Sequence, residues 1–283
     1  RQLKQGKSQA LGLIVLDSTN PFFGDIARAA EDAADLSGFH ILQASSSQSP
    51  VRQKDYIRMF QEQRLSGVLL SPVGDSSELR AQAESVGMKL VMIDHQSDER
   101  TSCSVSVDDI AGGQMAVEHL IATGKKKIGF VGGPLEITQI KDRLQGARNV
   151  VDQNPGVSLR VIPATRQDVI SGREIGEEIL NWNSSDWPEA IFAANDLLAL
   201  GLIQAFRMEA RVRVPEDIAI IGYDDIDFAK AAIVPLSSVR QPAKEIGATG
   251  VRLLLEEIEG EDHHHQHINF QPELVIRQST VIK

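Results

Sequence analysis

The sequence contains a single cysteine, Cys103, among its 283 residues. One thiol can form neither an internal disulfide nor a cysteine-rich metal site. The chain also has no apolar run close to the roughly 18 residues that a membrane-spanning helix requires. We therefore predict that the chain does not span a membrane and has no membrane partner.

The sequence is also poor in positive charge. It has 29 Lys and Arg residues against 39 Asp and Glu residues, a formal net charge of -10. Phosphate neutralisation supplies most of the non-specific affinity for duplex DNA, so a DNA-binding domain normally carries a basic face. We therefore expect any contact with DNA to be made by a segment outside these residues.

Common enzyme signatures are absent. The sequence has no GxGxxG, no Walker-type phosphate loop, no GxSxG elbow and no HExxH. Gly132-Gly133-Pro134 follows a predicted strand, but no Lys-Ser/Thr pair comes after it, so we interpret it as a tight turn. We predict a protein that is not an enzyme and needs no cofactor.

A histidine run near the end of the chain is the one candidate metal site. It comprises His263, His264, His265 and His267. Four histidines in five positions can bind a transition metal. Because they lie in a polar stretch, we interpret them as a solvated loop and predict no bound metal.

Apolar runs of strand length alternate with segments of helical period along most of the chain. The predicted strands cover residues 11–16, 40–42, 68–70, 90–93, 105–107, 127–131, 159–162, 190–193, 218–223, 238–239 and 273–276. Such near-continuous apolar strands, separated by helices, are typical of a parallel sheet covered on both faces. Since the series starts again after residue 107, we predict two doubly wound parallel sheets. One long parallel sheet is the alternative.

Polar residues follow three of these strands at their carboxyl ends, where open α/β sheets hold ligands. They are Asp17, Ser18, Thr19 and Asn20 with Phe22 and Phe23, then Asn195 and Asp196, then Asp224 and Asp225. An aromatic ring beside carboxylates and amides suits a small polyhydroxylated ligand.

Each group also has a structural interpretation. Asn20-Pro21 is a helix-initiating turn, Asn195 or Asp196 can cap the helix that follows, and Asp224-Asp225 can be a surface turn. For any one of these groups taken alone, the sequence favours capping or turn formation as much as ligand contact. Together, three such clusters in one chain favour a polar ligand.

Several motifs resemble those of the lactose/galactose-repressor (LacI/GalR) family, and they run in order from about Leu11 to Thr280. They are Leu11-Gly-Leu-Ile-Val through Asn20-Pro-Phe-Phe, Val107-Asp108 with Gly112-Gly113, Ala116 and His119-Leu120, Arg143-Leu-Gln-Gly146, Ala194-Asn195-Asp196 with Ala199 and Gly201, Val214-Pro215-Glu-Asp217 with Ile221-Gly-Tyr-Asp-Asp225, Ser238-Val-Arg-Gln-Pro242 and Arg277-Gln-Ser-Thr280. Each motif is weak alone, but together they are specific.

The resemblance implies an α/β fold of two doubly wound parallel-sheet lobes with three crossovers, of the periplasmic-binding-protein-like type I. We predict an amino-terminal lobe of residues 10–107 and 239–264 and a carboxy-terminal lobe of residues 108–238 and 265–283. The resemblance also implies a small-molecule effector held between the lobes and a homodimer or tetramer.

The same resemblance implies which residues line the pocket. They are Phe22 or Phe23, Arg143, Asn195 and Asp224. Asn20, Asp17 and Asp94 are added from their strand-end positions. Two departures from the family pattern put the effector identity in doubt. His95 follows Asp94 where many relatives have arginine, and residues 125–127 replace a Gly-His-Arg-like turn.

Residues 1–9 include a segment, 1–7, that resembles the tail of the family's hinge helix and its linker. The resemblance then implies a helix-turn-helix headpiece upstream, through which operator DNA is contacted. We predict a ligand-responsive transcriptional repressor whose effector, a sugar or nucleoside, changes the relative orientation of the lobes. The alternatives are a periplasmic solute-binding protein and a sugar- or nucleoside-processing enzyme that uses Asp17 and Asp224 as acid and base.

Overall fold

A computed structural model describes residues 9–74, 77–95, 102–208, 212–260 and 263–281. The chain divides into two compact units. Unit 1 comprises Arg1–Val107 with Pro242–Phe270, and unit 2 comprises Asp108–Gln241 with Gln271–Lys283. The segment that resembles the hinge helix lies outside the described residues.

The described elements alternate between strands and helices. The first half of the chain contains β1 (Ala10–Val15), α1 (Pro21–Asp35), β2 (His40–Ser45), α2 (Pro50–Glu62), β3 (Gly67–Leu70), α3 (Ser77–Ser85), β4 (Lys89–Ile93), β5 (Ser104–Val107), α4 (Asp109–Ala122), β6 (Lys127–Gly132) and α5 (Thr138–Asp152). The second half contains β7 (Ser158–Pro163), α6 (Val169–Leu180), β8 (Ala190–Ala193), α7 (Asp196–Met208), β9 (Ala219–Asp224), α8 (Asp227–Ala231), β10 (Ser237–Arg240), α9 (Ala243–Glu259), β11 (His267–Phe270) and β12 (Glu273–Val275).

Side chains just before the helices fix where several of them begin. Asn20, Ser49, Asp108 and Asp168 each accept a hydrogen bond from a backbone N–H in the first turn of α1, α2, α4 and α6. These bonds satisfy donors that a helix end otherwise leaves unpaired. No helix among the described residues is long and apolar enough to cross a bilayer.

Each unit is built on its own six-stranded sheet. The strand order is β11-β5-β4-β3-β1-β2 in unit 1 and β12-β10-β9-β8-β6-β7 in unit 2. The prediction of two sheets is confirmed, and the alternative of one long sheet is wrong. All described pairings are parallel except that of β12 with β10, which is antiparallel.

The structure differs from the predicted fold in its last part. The chain passes between units after residues 107, 241 and 270, whereas we predicted passages after 107, 238 and 264. The reason is strand pairing. Strand β10 pairs with β9 in unit 2, and β11, which we did not predict, pairs with β5 in unit 1.

Glycines allow pairs of helices to approach closely. A Cβ added to Gly201 on α7 would overlap the carbonyl oxygen of Val169 on α6, and one added to Gly113 on α4 would overlap that of Arg143 on α5. Backbone therefore packs against backbone at these crossings, and larger residues do not fit.

We predict that Gly201→Ala destabilises the protein by about 1–3 kcal/mol, because the added methyl group must displace the backbone of α6. This loss outweighs the gain of about 1 kcal/mol that alanine brings to a helix interior. The free energy of unfolding in urea measures the change.

Gly24→Ala provides the matched control, because an added Cβ at Gly24 on α1 would meet no atom within 4 Å. This variant should be as stable as the wild type or more stable. Equal stability of the Gly201 and Gly24 variants would contradict the packing argument.

Candidate functional site

The predicted site residues divide between the carboxyl-end edges of the two sheets. In unit 1, Asp17 and Asn20 follow β1, and Asp94 follows β4. In unit 2, Asn195 follows β8 and Asp224 ends β9, whereas Arg143 lies on α5. Because the carboxyl ends of parallel strands share one edge of a sheet, the strand-end residues of each unit lie on the edge where open α/β sheets commonly hold ligands.

Arg143 is the centre of the edge in unit 2. Its Nε donates a hydrogen bond of 2.7 Å to Asp109 Oδ1, and its Nη1 donates one of 2.7 Å to the carbonyl oxygen of Ala194. The same Nη1 lies 3.9 Å from Asp224 Oδ1. The guanidinium carbon lies 3.7 Å from the ring centroid of Tyr223. The structure therefore brings together Arg143 and Asp224, two of the predicted site residues.

Burial controls the ionisation of this cluster. Arg143 is 5% exposed and Asp224 6% exposed. Burial raises the pKa of Asp109, and the positive charge of Arg143 only partly offsets this effect. Burial alone would lower the pKa of Arg143, but the charges of Asp109, Tyr223 and Asp224 and the hydrogen bond to Asp109 together outweigh burial, so the pKa is raised. The guanidinium thus stays charged in a desolvated site, where it can bind an anionic or hydroxyl oxygen strongly.

Asp224 is held at an unusual backbone angle. Its φ is 103° and that of Asp225 is 55°, both in the left-handed region that non-glycine residues rarely adopt. Gln241 Nε2 donates a hydrogen bond of 2.7 Å to Asp224 Oδ1. Strained backbone of this kind costs about 1–3 kcal/mol per residue and occurs often at functional sites.

Asp225 anchors the strained turn instead of facing a ligand. Its carboxylate pairs with Arg240 Nε at 2.8 Å and with Arg277 Nη1 at 2.6 Å. Its backbone N–H donates to Ser238 Oγ at 3.0 Å. The interpretation of Asp224-Asp225 as a surface turn is therefore wrong, since both side chains are almost completely buried.

Asn195 and Asp196 both have structural partners. Asn195 Oδ1 accepts from the backbone N–H of Leu198 at 2.9 Å, so it caps the start of α7. Asp196 accepts from Ser238 Oγ at 2.7 Å and from the N–H of Ile226 at 2.9 Å. Burial, followed by the charge of Asp224, raises the pKa of Asp196 well above its usual range. Capping is therefore a real role of Asn195, and it leaves a ligand role open.

The predicted site residues of unit 1 also have structural partners. Asp17 Oδ1 accepts hydrogen bonds from the backbone N–H of Thr19 at 2.9 Å and from Thr19 Oγ1 at 2.7 Å. Asn20 caps α1 through the N–H of Phe22 at 3.1 Å. The Phe22 and Phe23 rings meet edge to face, with centroids 5.1 Å apart. They are only 3% and 5% exposed, so little of either ring is accessible to a ligand within unit 1.

Asp94 lies directly after β4 and is 4% exposed. Its φ of 53° places it, like Asp224, in the left-handed region. A buried carboxylate at a strained strand end is a common feature of binding sites.

Sequence reasoning missed three residues of the edge in unit 2: Asp109, Tyr223 and Gln241. All three lie beside or within the quoted family motifs, but nothing in the sequence paired them with Arg143 or Asp224. One signal was present. Gly112 leaves room for Tyr223, because a Cβ at this glycine would overlap the tyrosine hydroxyl.

The last family motif has a structural role. Ser279 Oγ is the acceptor for the N–H of Ser237 at 2.7 Å and also contacts the carbonyl oxygen of Ile220. Thr280 Oγ1 lies 2.7 Å from His119 Nε2. These bonds fasten the end of the chain to unit 2, and they explain why polar residues are needed at these positions.

Comparisons with known proteins agree with this architecture. Residues 117–280 match the family model of a periplasmic binding protein-like domain. The chain is 32% identical over 286 residues to the HTH-type transcriptional repressor PurR of Photobacterium profundum, covering 99% of this chain and 83% of that protein. It is 32% identical over 279 residues to the HTH-type transcriptional regulator DegA of Bacillus subtilis, covering 97% and 81%. A LacI family transcriptional regulator from Enterococcus faecium, solved with bound ribose, has a TM-score of 0.85 at 27% identity, covering 96% of this chain and 98% of that chain.

The fold and its polar strand-end edges define a ligand-binding protein of the periplasmic-binding-protein-like class. Within that class, the chain belongs to the LacI/GalR family of ligand-responsive transcriptional regulators. These relatives are regulators of transcription, so the alternative of a transporter solute-binding protein is not supported.

Removing the buried cation should destabilise unit 2 strongly. We predict that Arg143→Met costs about 3–5 kcal/mol of the free energy of unfolding, because it leaves the carboxylates of Asp109 and Asp224 buried without their counter-charge. Urea denaturation followed by circular dichroism measures this loss.

Two variants separate the charge effect from lost packing. Adding Asp109→Asn to Arg143→Met removes one stranded charge and should restore part of the stability. Arg173→Met breaks an exposed pair with Glu177, whose side chains are 44% and 46% exposed, and should cost less than about 1 kcal/mol. If Arg143→Met is as mild as Arg173→Met, the electrostatic argument is wrong.

Proposed function

We propose that this chain is the effector-binding and dimerisation module of a cytoplasmic transcription repressor, and that its effector is a small polar molecule such as a sugar or nucleoside. The observation that carries the proposal is the buried Arg143 within 3.9 Å of Asp224 at the strand-end edge of unit 2. A charged donor and a carboxylate acceptor side by side match vicinal hydroxyl groups.

The proposed ligand contacts come from both units. In unit 2 they are made by Arg143, Asn195 and Asp224. In unit 1 they are made by Asp17, Asn20, Phe22, Phe23 and Asp94. The bound ribose in the Enterococcus faecium relative supports a sugar over an apolar effector.

We propose that operator DNA is contacted by a helix-turn-helix that precedes these residues in the full protein. The net charge of -10 supports DNA contact by a separate segment, because an acidic surface repels DNA phosphate. Effector binding then shifts the orientation of the lobes and changes how the paired headpieces fit their half-sites. A coupling free energy of about 1–3 kcal/mol suffices.

A thermal-shift screen with ribose, other sugars and nucleosides tests the effector proposal. A ligand that binds only the native state raises Tm, and at 100 times its Kd it adds about 2.7 kcal/mol to the stability. Asp224→Asn and Asp17→Asn keep the side-chain shape but lose a charged acceptor. We expect each to weaken binding by about tenfold or more, since such a bond contributes about 1.5–3 kcal/mol.

Asp227→Asn is the control, because the side chain of Asp227 is 97% exposed on α8. It should bind the ligand like the wild type. A ligand that both site variants bind with wild-type affinity would show that the site is placed wrongly. The ligand should also be recovered unchanged after incubation, and its conversion would support the enzyme alternative.

We also propose that the chain forms a homodimer or a tetramer. Sedimentation equilibrium should then give a mass of two or four times the 30.9 kDa of one chain. A mass of one chain across the micromolar range would contradict the proposal.

A further inference from the structure

Four metal-ligating side chains converge in unit 1, away from the strand-end residues discussed above. They are Cys103, Glu257, His263 and His265, here called the Cys103 cluster. Cys103 directly precedes β5, Glu257 lies in the last turns of α9, and the histidines lie between α9 and β11. The cluster therefore joins three segments of the chain.

The ligand atoms are already close to one another. Cys103 Sγ lies 3.1 Å from His263 Nε2, and His265 Nδ1 lies 2.6 Å from Glu257 Oε1. His263 Nε2 lies 3.8 Å from the same carboxylate oxygen. All four ligand atoms lie within 4.8 Å of one another.

The distances between these ligand atoms are close to those around a tetrahedrally coordinated ion. With bonds of about 2.0–2.3 Å, a zinc ion separates its ligand atoms by about 3.3–3.8 Å. The widest separation in the cluster, at most 4.8 Å, therefore needs to shrink by about 1.0–1.5 Å, and the 2.6 Å between His265 Nδ1 and Glu257 Oε1 needs to widen by about 0.7–1.2 Å. Side-chain rotation of the more exposed His265 can supply such a shift.

The donor types also point to zinc. One thiolate, two imidazoles and one carboxylate form a mixed sulfur, nitrogen and oxygen set. Zn²⁺ accepts all three donor types in tetrahedral sites, whereas Mg²⁺ and Ca²⁺ prefer oxygen alone. Because zinc binds the thiolate form of cysteine, an ion that binds Cys103 Sγ would displace the thiol proton.

The surroundings supply an outer shell and a route of entry. His263 turns Nε2 toward Cys103 and has Nδ1 3.8 Å from Glu256 Oε2, so a small rotation would bring this carboxylate within hydrogen-bond distance of the ring nitrogen that does not face the sulfur. A cavity of about 270 Å³ adjoins the cluster and is lined by Glu257 and His265, together with Arg80.

We propose that the Cys103 cluster binds one Zn²⁺ ion, which fastens the connection between α9 and β11 to the start of β5. The proposal replaces the interpretation of the histidine run as a solvated loop without metal. His263 is largely buried, with 10% of its side chain exposed. The ion would stabilise the edge strand β11, which directly precedes the last passage of the chain into unit 2.

Zinc titration of chelator-treated protein tests the proposal, with a chromophoric chelator as competitor. We expect one Zn²⁺ per chain for the wild type and binding weakened by about tenfold or more in Cys103→Ser, His263→Ala and His265→Ala. Mutation of even the outer-shell partners of a metal site typically lowers metal affinity or activity by about 10–100-fold. His264→Ala is the matched control, because His264 lies in the same run but outside the cluster, and it should bind like the wild type.

Cobalt substitution gives a second readout. Co²⁺ bound to a thiolate shows a sulfur-to-metal charge-transfer band, which should appear in the wild type and in His264→Ala and vanish in Cys103→Ser. Circular dichroism identifies any variant that fails to fold. If Cys103→Ser fails to fold, His265→Ala still tests the proposal, because His265 is partly exposed and its loss should not prevent folding. The proposal is overturned if the wild type binds no zinc, if the cluster variants bind as tightly as the wild type, or if His264→Ala loses as much affinity as they do.

Discussion

The guanidinium of Arg143 is the group on which the polar strand-end edge of unit 2 depends. It connects α5, which carries it, to Asp109 on α4, to Ala194 after β8, and to Tyr223 and Asp224 on β9. A buried cation of this kind must be paired on several sides, because removing it from water costs several kcal/mol. The same requirement fixes the position of every element around it.

Close helix packing keeps that edge rigid. Glycines at the crossings of α4 with α5 and of α6 with α7 bring the helix backbones into contact. The strained turn at Asp224 is held in turn by Arg240, Arg277 and Ser238 around Asp225. Polar groups that are already ordered lose little conformational entropy when a ligand binds, and this favours affinity.

Several polar residues at the strand ends, which we propose as ligand contacts, also serve the fold. Asn20 and Asn195 cap α1 and α7, and Asp17 closes a turn with Thr19. The choice between capping and binding that the sequence leaves open is therefore not a choice between exclusive roles. A carboxylate or amide fixed by one backbone bond is held in one orientation, which favours selective recognition of a ligand.

The sequence by itself determined the alternation of strands and helices, the division into two sheets, and the family. These features depend on neighbouring residues, through apolar period, capping and backbone freedom. Only the tertiary structure decided the strand β11, whose half-exposed residues give no apolar run, the pairing of Arg143 with Asp109, and the convergence of Cys103 with His263. Those contacts join residues far apart in the chain, and local sequence pattern holds no information on which distant side chains share a buried site.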